Sequence, residues 1–217
     1  MPISRAQIIL LVLIALVAIF LFSRNATAPE PTLSSTPQPT QSPASPTPEQ
    51  TTKFQSPIDN ARARVTKKLF GIYVTPNNSP TIPEHFTGYH TATDFEIFSG
   101  EENKDIEVRT ICAGKLVKKS TAEGYGGVLA QSCTNNGQPV VIIYGHLKLS
   151  SVTVVVGNEL QAGQRLGILG AAFTSETGNE RKHLHLGIHK GLAINIRGYV
   201  QSQAELSDWI DPLTLIP

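Results

Sequence analysis

A chain of 217 residues carrying 18 Lys and Arg against 17 Asp and Glu, a formal charge of +1, has room for one good-sized domain with tails. The balance leaves no basic footprint for nucleic acid and no acidic tail. Function must therefore reside in a local site. At the amino end, Met1, Pro2 and Arg5 precede an unbroken apolar run from Ile8 to Phe22. With Ala6 and Gln7 it is just long enough to span a bilayer, which takes roughly 17–25 residues. The amino terminus and Arg5 favour a cytoplasmic start, opposed only by Arg24. Residues 1–27 are thus expected to be a single transmembrane anchor at the cell membrane, with the rest of the chain extracytoplasmic. The rival reading is a cleaved signal and a secreted product: Ala26-Thr27-Ala28 has the small-x-small form of a cleavage site, although Pro29 would follow the cut.

Residues 28–57 are Pro, Thr, Ser and Gln with almost no large apolar side chain. Such a segment cannot bury enough surface to offset chain entropy and is expected to be a disordered linker. At about 3.1 Å per residue its prolines could carry a domain up to roughly 90 Å from a bilayer.

The folded domain is expected over 58–217. Asp59–Leu69 reads as a short helix or a lead-in to a strand. After it come short Val- and Ile-rich segments bounded by Gly, Asn or Pro: Ile106–Cys112, Gly114–Lys119, Val128–Cys133, Val140–Gly145, Ser151–Val156, Arg165–Leu169 and His183–His189. Their length and spacing predict an all-β, sandwich-like or barrel-like domain, with Gln203–Trp209 mildly helical near the end. Gly157, Gly163, Gly167 and Gly170 mark turns and close backbone approach; no helix follows to bind phosphate, so a nucleotide site is excluded. Cys112 and Cys133 lack metal-ligand spacing. Outside the membrane they are expected to pair, closing a loop of about 20 residues worth roughly 3 kcal/mol in the chain-entropy model; two buried thiols is the alternative.

Four of the six histidines and one aspartate fall into three short pieces: His90-x3-Asp94, His146 in Tyr144-Gly145-His146-Leu147, and His183-Leu184-His185. Each piece alone also reads as an ordinary polar strand face, a solvated pair or a strand-end cap. Together they offer two imidazoles and a carboxylate to hold a zinc ion, and two imidazoles to move protons. Zinc hydrolases use three protein ligands and one open position for water. In a strand from His183, alternation puts His183, His185, Gly187 and His189 on one face and Leu184, Leu186 and Ile188 on the core face. His183 and His185 are then about 6–7 Å apart, and His189 lies roughly 13 Å beyond His185, too far to share an ion. There is no His-Glu-x-x-His, so proton transfer would fall to His146 or His183, whose ordinary pKa lies near neutrality. Which takes the proton and which steadies the oxyanion is open. Glu84 and His85 read as loop residues. Tyr89, Tyr125 and Tyr144 could donate to a substrate or pack at a rim.

From about Leu69 to Leu215 the chain resembles the lysostaphin-type, LytM-like zinc metalloendopeptidases. The resemblance runs through Phe70-Gly71, Gly88-x-His90-x3-Asp94-Phe95, Gly124-Tyr125-Gly126, Tyr144-Gly145-His146-Leu147, Val156-Gly157-x5-Gly163-x3-Gly167-x2-Gly170, His183-Leu184-His185-Leu186 and Asp211-Pro212-Leu213. It implies a compact antiparallel β domain with a groove, the duplicated hybrid motif. It implies Zn2+ held by His90, Asp94 and His185, catalytic roles for His146 and His183, and bacterial peptidoglycan peptide as substrate. The chain departs from the family pattern at Tyr73 (often Arg), Ala92 (often Gly), Glu180-Arg181-Lys182 (usually Thr-Gly-Pro) and Leu186-Gly187 (usually Phe-Glu). These departures are expected to alter the groove's rims without touching a metal-binding or proton-handling atom. Two rivals remain: a catalytically silent wall-binding or regulatory scaffold of the same fold, and a biotinyl- or lipoyl-type carrier. The carrier fails for want of a Met-Lys attachment site, since the single methionine is Met1.

Overall fold

The computed structural model describes residues 53–217. The readings of 1–27 as an anchor and of 28–57 as a linker therefore lie almost wholly outside the described residues. Among the described residues core packing begins at Phe54, which is buried ahead of the Ile58 start expected for the domain. Among the described residues no helix is long and apolar enough to cross a membrane.

The domain is mostly antiparallel β. In chain order the strands are β1 (Tyr73–Val74), β2 (Gly88–His90), β3 (Ala92–Glu96), β4 (Glu107–Arg109), β5 (Gly114–Ala122), β6 (Gly126–Asn135), β7 (Gln138–Gly145), β8 (Glu159–Leu160), β9 (Arg165–Ile168), β10 (His183–Lys190) and β11 (Tyr199–Val200), followed by one helical turn, α1 (Gln203–Leu206). Ser202 caps that turn, its hydroxyl accepting from the Glu205 amide. A six-stranded sheet runs β3-β10-β7-β6-β5-β8; β1-β2-β11 form a second sheet and β4-β9 a third.

Both faces of the large sheet are covered, so its central strands are apolar on alternate sides rather than polar on one. Leu184, Leu186 and Ile188 of β10, Val140, Ile142 and Tyr144 of β7, and Phe95 of β3 join the main core. On the opposite face Val141 and Ile143 of β7 and Val128 and Ala130 of β6 pack around Trp209. The histidines of β10 emerge on this second face. The expected alternation of that strand is the one observed.

Several boundaries differ from expectation. Ile106–Cys112 pairs only over Glu107–Arg109, with a register shift after Val108. Beyond it the Ile111 amide donates to the Tyr144 hydroxyl instead of to a ladder. Ser151–Val156 is not a strand. Leu149–Ser151 is a 3-10 turn, the Ser151 hydroxyl takes the Ile168 amide proton, and Val155 and Val156 face solvent; β-branched residues imitated a strand where none pairs. Asp59–Leu69 contributes only a 3-10 turn, Ala61–Arg64. Cys112 and Cys133 form the expected disulfide, their Cα atoms 6.3 Å apart and 21 residues apart in sequence. Tyr144 is no rim residue: it is fully buried, donating to Gln131 Oε1 at 2.8 Å and accepting from Ile111 N at 3.0 Å.

Candidate metal centre

His90 and Asp94 are brought together by a change of sheet. His90 ends β2 in the small sheet, and β3 in the large sheet begins two residues later. Between them Thr91 anchors the crossing, donating its amide to the Gly198 carbonyl at 3.0 Å and its hydroxyl to the Arg197 carbonyl at 2.6 Å. His185 is supplied by strand pairing: it lies directly across from Asp94 in the β3–β10 ladder, where facing side chains sit about 5 Å apart. His90 Nε2 is 3.3 Å from Asp94 Oδ1, His185 Nδ1 is 3.2 Å from the same oxygen, and the two nitrogens are 3.2 Å apart. All three residues are buried, and they form a candidate metal site.

The site residues fit a zinc ion. At Zn–N and Zn–O distances of about 2.0–2.1 Å, the edge of a ligand tetrahedron is about 3.3 Å, which matches the three separations. Asp94 Oδ1 is buried with no hydrogen-bond partner, an arrangement that is costly unless a cation claims the oxygen. Two imidazole nitrogens and one carboxylate oxygen are the donors a borderline-soft divalent ion prefers. Outer contacts orient both rings. His90 Nδ1 faces the Leu69 carbonyl at 3.2 Å and His185 Nε2 faces the Tyr125 hydroxyl at 3.0 Å; partners of this kind fix tautomer and ring plane. Gly145, opposite His185, makes room for this arrangement, since a Cβ there would lie 2.5 Å from the Tyr125 ring.

His146 and His183 stand beside this triad. His146 follows the last residue of β7 and has φ +63°, a left-handed conformation uncommon outside glycine. Its carbonyl accepts from Gly170 N at 2.9 Å, and Leu147 N is tied to Gly127 O at 3.0 Å, so the turn is held from both sides. His183 sits two residues before His185 on the same strand face. Its Nε2 is 3.3 Å from Asp94 Oδ2, and its ring centroid is 4.2 Å from that of His146. The remaining nitrogens are anchored on carbonyls: His146 Nδ1 on Thr177 at 2.9 Å, His183 Nδ1 on Arg181 at 2.8 Å. His189 lies apart, its ring 4.9 Å from Trp209, and His85 is exposed.

The site opens on a cavity of about 370 Å³ lined by Asp94, His146, His183 and His185 together with Phe86, Arg181 and Tyr199. Sequence reasoning missed several of its members. Tyr199 lies across from His90 in the β2–β11 ladder and its hydroxyl receives a 2.8 Å hydrogen bond from Lys68. Lys68 is paired at 2.5 Å with Glu84, which is buried rather than a plain loop residue. Nothing in sequence spacing links these three. Tyr125, marked for substrate or a rim, instead braces His185. The largest correction concerns Glu180-Arg181-Lys182. Arg181 Nη2 bonds Asp94 Oδ2 at 2.7 Å, so this departure from the family pattern does touch a residue of the candidate metal site.

The electrostatics follow from burial and neighbours. Burial raises the Asp94 carboxyl, but the neighbouring imidazoles of His90, His183 and His185 outweigh it and hold the group well below the usual carboxylate range. Burial pushes His146 well below an ordinary histidine, helped by His183 and His185. It carries His185 down to about 4 against the pull of Asp94. Both rings are therefore neutral at pH 7. Burial pushes the Tyr199 phenol up, as do the charges of Asp94 and Glu84, so its proton stays on. These shifts predict a pH dependence of the metal-free chain. Between about pH 6.5 and 4 the unfolded chain binds protons on these histidines that the folded chain refuses, so stability is complete above pH 6.5 and falls as pH drops towards 4. For His185 alone the loss is on the order of 3 kcal/mol at about 1.4 kcal/mol per pKa unit. Denaturant midpoints of chelator-treated protein at pH 7 and pH 4.5 measure it; equal midpoints would contradict the burial argument.

Residues 88–196, from β2 through β10, match the family model described as Peptidase family M23. Endolysin 2638A of Staphylococcus phage 2638A is 28% identical over 103 residues, 48% of this chain. The chain matches only 20% of that endolysin's length. Among solved structures, one titled for the identification and structural characterization of LytU is 23% identical over 69% of this chain and 81% of its own, with a TM-score of 0.46. A putative glycyl-glycine endopeptidase lytM from Ruminococcus gnavus is 24% identical over 48% of this chain and 40% of its own, with a TM-score of 0.37. The matched stretch holds the whole candidate metal site and both neighbouring histidines, and it covers half of the sequence: the chain belongs to peptidase family M23.

Proposed function

We propose that this chain is a zinc-dependent endopeptidase that hydrolyses peptide bonds in bacterial peptidoglycan, working outside the cytoplasm from a membrane tether. The observation that carries the reading is the set of three ligand atoms within 3.3 Å of one another, flanked by two imidazoles at the wall of an open cavity. Membership of family M23 supports the substrate class.

His90 Nε2, Asp94 Oδ1 and His185 Nδ1 would hold the ion. Zinc bound there would supply an acidified water, of pKa about 7, and a Lewis acid to polarise a carbonyl oxygen. His146 takes the proton from the attacking water. Its ring is kept neutral by burial, and its Nδ1 hydrogen is committed to the Thr177 carbonyl, leaving the Nε2 lone pair free. His183 Nε2, beside Asp94 Oδ2, steadies the oxyanion and gives a proton to the leaving amine, and the proton taken up by His146 then replaces it across the adjoining rings. The Tyr199 hydroxyl accepts from Lys68 and keeps its own proton to offer a substrate carbonyl. This division of labour places base and acid on two neighbouring imidazoles whose ring centroids are 4.2 Å apart.

The test uses the full chain, expected to sediment with membranes, bind one equivalent of zinc and release new amino termini from purified wall peptides, with activity lost to chelator and restored by zinc. Full zinc occupancy with every cross-bridge and stem peptide left intact would instead favour a wall-binding scaffold.

A further inference from the structure

Ala92, Asp94 and Glu96 share one face of β3, and the two carboxylates lie across from His185 and His183 in the ladder. Two buried acids at alternate positions, about 6–7 Å apart along the strand, are both within a side chain's reach of one cation. Yet only Asp94 joins the candidate ligand cluster. Arg181 accounts for the difference. Its Nε lies 3.0 Å from each oxygen of Glu96, and its Nη2 lies 2.6 Å from Glu96 Oε1 and 2.7 Å from Asp94 Oδ2. Asp94 Oδ2 also faces His183 Nε2 at 3.3 Å. Lys67 approaches Glu96 from the more exposed side at 3.7 Å. Of four carboxylate oxygens, three are engaged by nitrogen donors and one, Asp94 Oδ1, is buried and unpartnered.

We infer that Arg181 is a positioning residue that sets the coordination number of the metal centre: it withholds Glu96 and one Asp94 oxygen, so that the ion meets two imidazoles and a single carboxylate oxygen. The inference rests on the metal-centre reading above. Ligand count matters chemically. Two nitrogens and one oxygen leave a tetrahedral site with a position open for water. Adding Glu96 would fill that position and turn the donor set towards harder ions of higher coordination number. A planar, forked cation suits this task, because it can hold two carboxylates in fixed geometry at once.

Cobalt(II) in place of zinc reports the outcome directly, since its visible bands are intense when four-coordinate and weak when five- or six-coordinate. The full chain is expected to bind one equivalent with intense bands. Arg181→Met should still bind one equivalent but lose most of that absorption, and in the zinc form its turnover on wall peptides should fall by about 10- to 100-fold. The double variant Arg181→Met/Glu96→Gln removes the intruding acid together with its cation, and His183 still faces Asp94 Oδ2. It should regain most of the absorption, a rescue that a purely structural role for Arg181 does not produce. Wild-type bands in Arg181→Met, or a double variant no better than the single, would overturn the inference. If Arg181→Met does not fold, Arg181→Lys keeps the charge without the fork and carries the same expectation of weakened bands. A wild-type chain that binds no cobalt sinks the metal centre itself, whereas normal wild-type binding with an unaltered Arg181 variant sinks only the role of Arg181.

Discussion

Asp94→Ala is expected to leave the chain without stoichiometric zinc and without measurable hydrolysis of wall peptides. Asp94 is the one anionic member of the candidate ligand set, and its Oδ1 lies within 3.3 Å of both ligand nitrogens. Its removal takes away the charge that draws a divalent cation into a buried pocket, and leaves three imidazoles facing one another with nothing to compensate a positive ion. Arg181 would keep Glu96 as its partner, so the loss at the metal does not require collapse of the surrounding strands. Asp94→Asn guards the interpretation: the amide fills the same space but carries no charge, and it should likewise fail to hold zinc. Metal analysis after gel filtration, alongside the release of amino termini, makes the comparison. Stoichiometric zinc and near-wild-type turnover in either variant would remove the basis for the ligand assignment.

The second large effect separates proton transfer from metal binding. His146→Ala and His183→Ala should each retain one equivalent of zinc while turnover falls by about 100- to 10,000-fold, the range that general acid–base groups contribute. Neither ring supplies an atom to the ligand cluster, and their anchoring nitrogens point away from it to the Thr177 and Arg181 carbonyls. The two variants should not be additive, because the rings stand 4.2 Å apart and act on the same proton. Loss of zinc in His146→Ala, or full activity in either, would reverse the roles given to these residues. The same measurements made against pH carry further information: burial keeps His146 neutral well below pH 6.5, so the acid limb of the wild-type profile should fall below the ordinary histidine range.

Much of the architecture was readable in advance, and the reasons differ from strand to strand. β6, β7 and β10 match expectation to within a few residues because each carries Val, Ile or Leu side chains that fill the core on one or both faces of the sheet. β2 and β3 were overlooked although they carry His90 and Asp94, because all five residues of β3 are buried and two of those are acids; a strand that hides polar groups has no apolar period to read. Val155 and Val156 misled in the opposite sense, being β-branched yet exposed. At the site, Tyr199, Lys68 and Glu84 come from three separate stretches; the β2–β11 pairing and the Lys68–Tyr199 hydrogen bond bring the first two to one wall, and a buried ion pair sets Glu84 against Lys68.

The identities and order of the donor residues were enough to anticipate a His-Asp-His cluster with two spare imidazoles, because metal preference depends on which atoms are offered, and those are written in the residue types. How many oxygens a metal would meet could not be anticipated in this way. That number depends on where the Arg181 side chain lies relative to Asp94 and Glu96, a relation set by antiparallel register across β3 and β10 and by the turn that precedes β10. Hydrogen-bond geometry over less than 3 Å has no trace in spacing along the chain, and so an arginine that read as a rim variation proves to be bonded to the carboxylate at the centre.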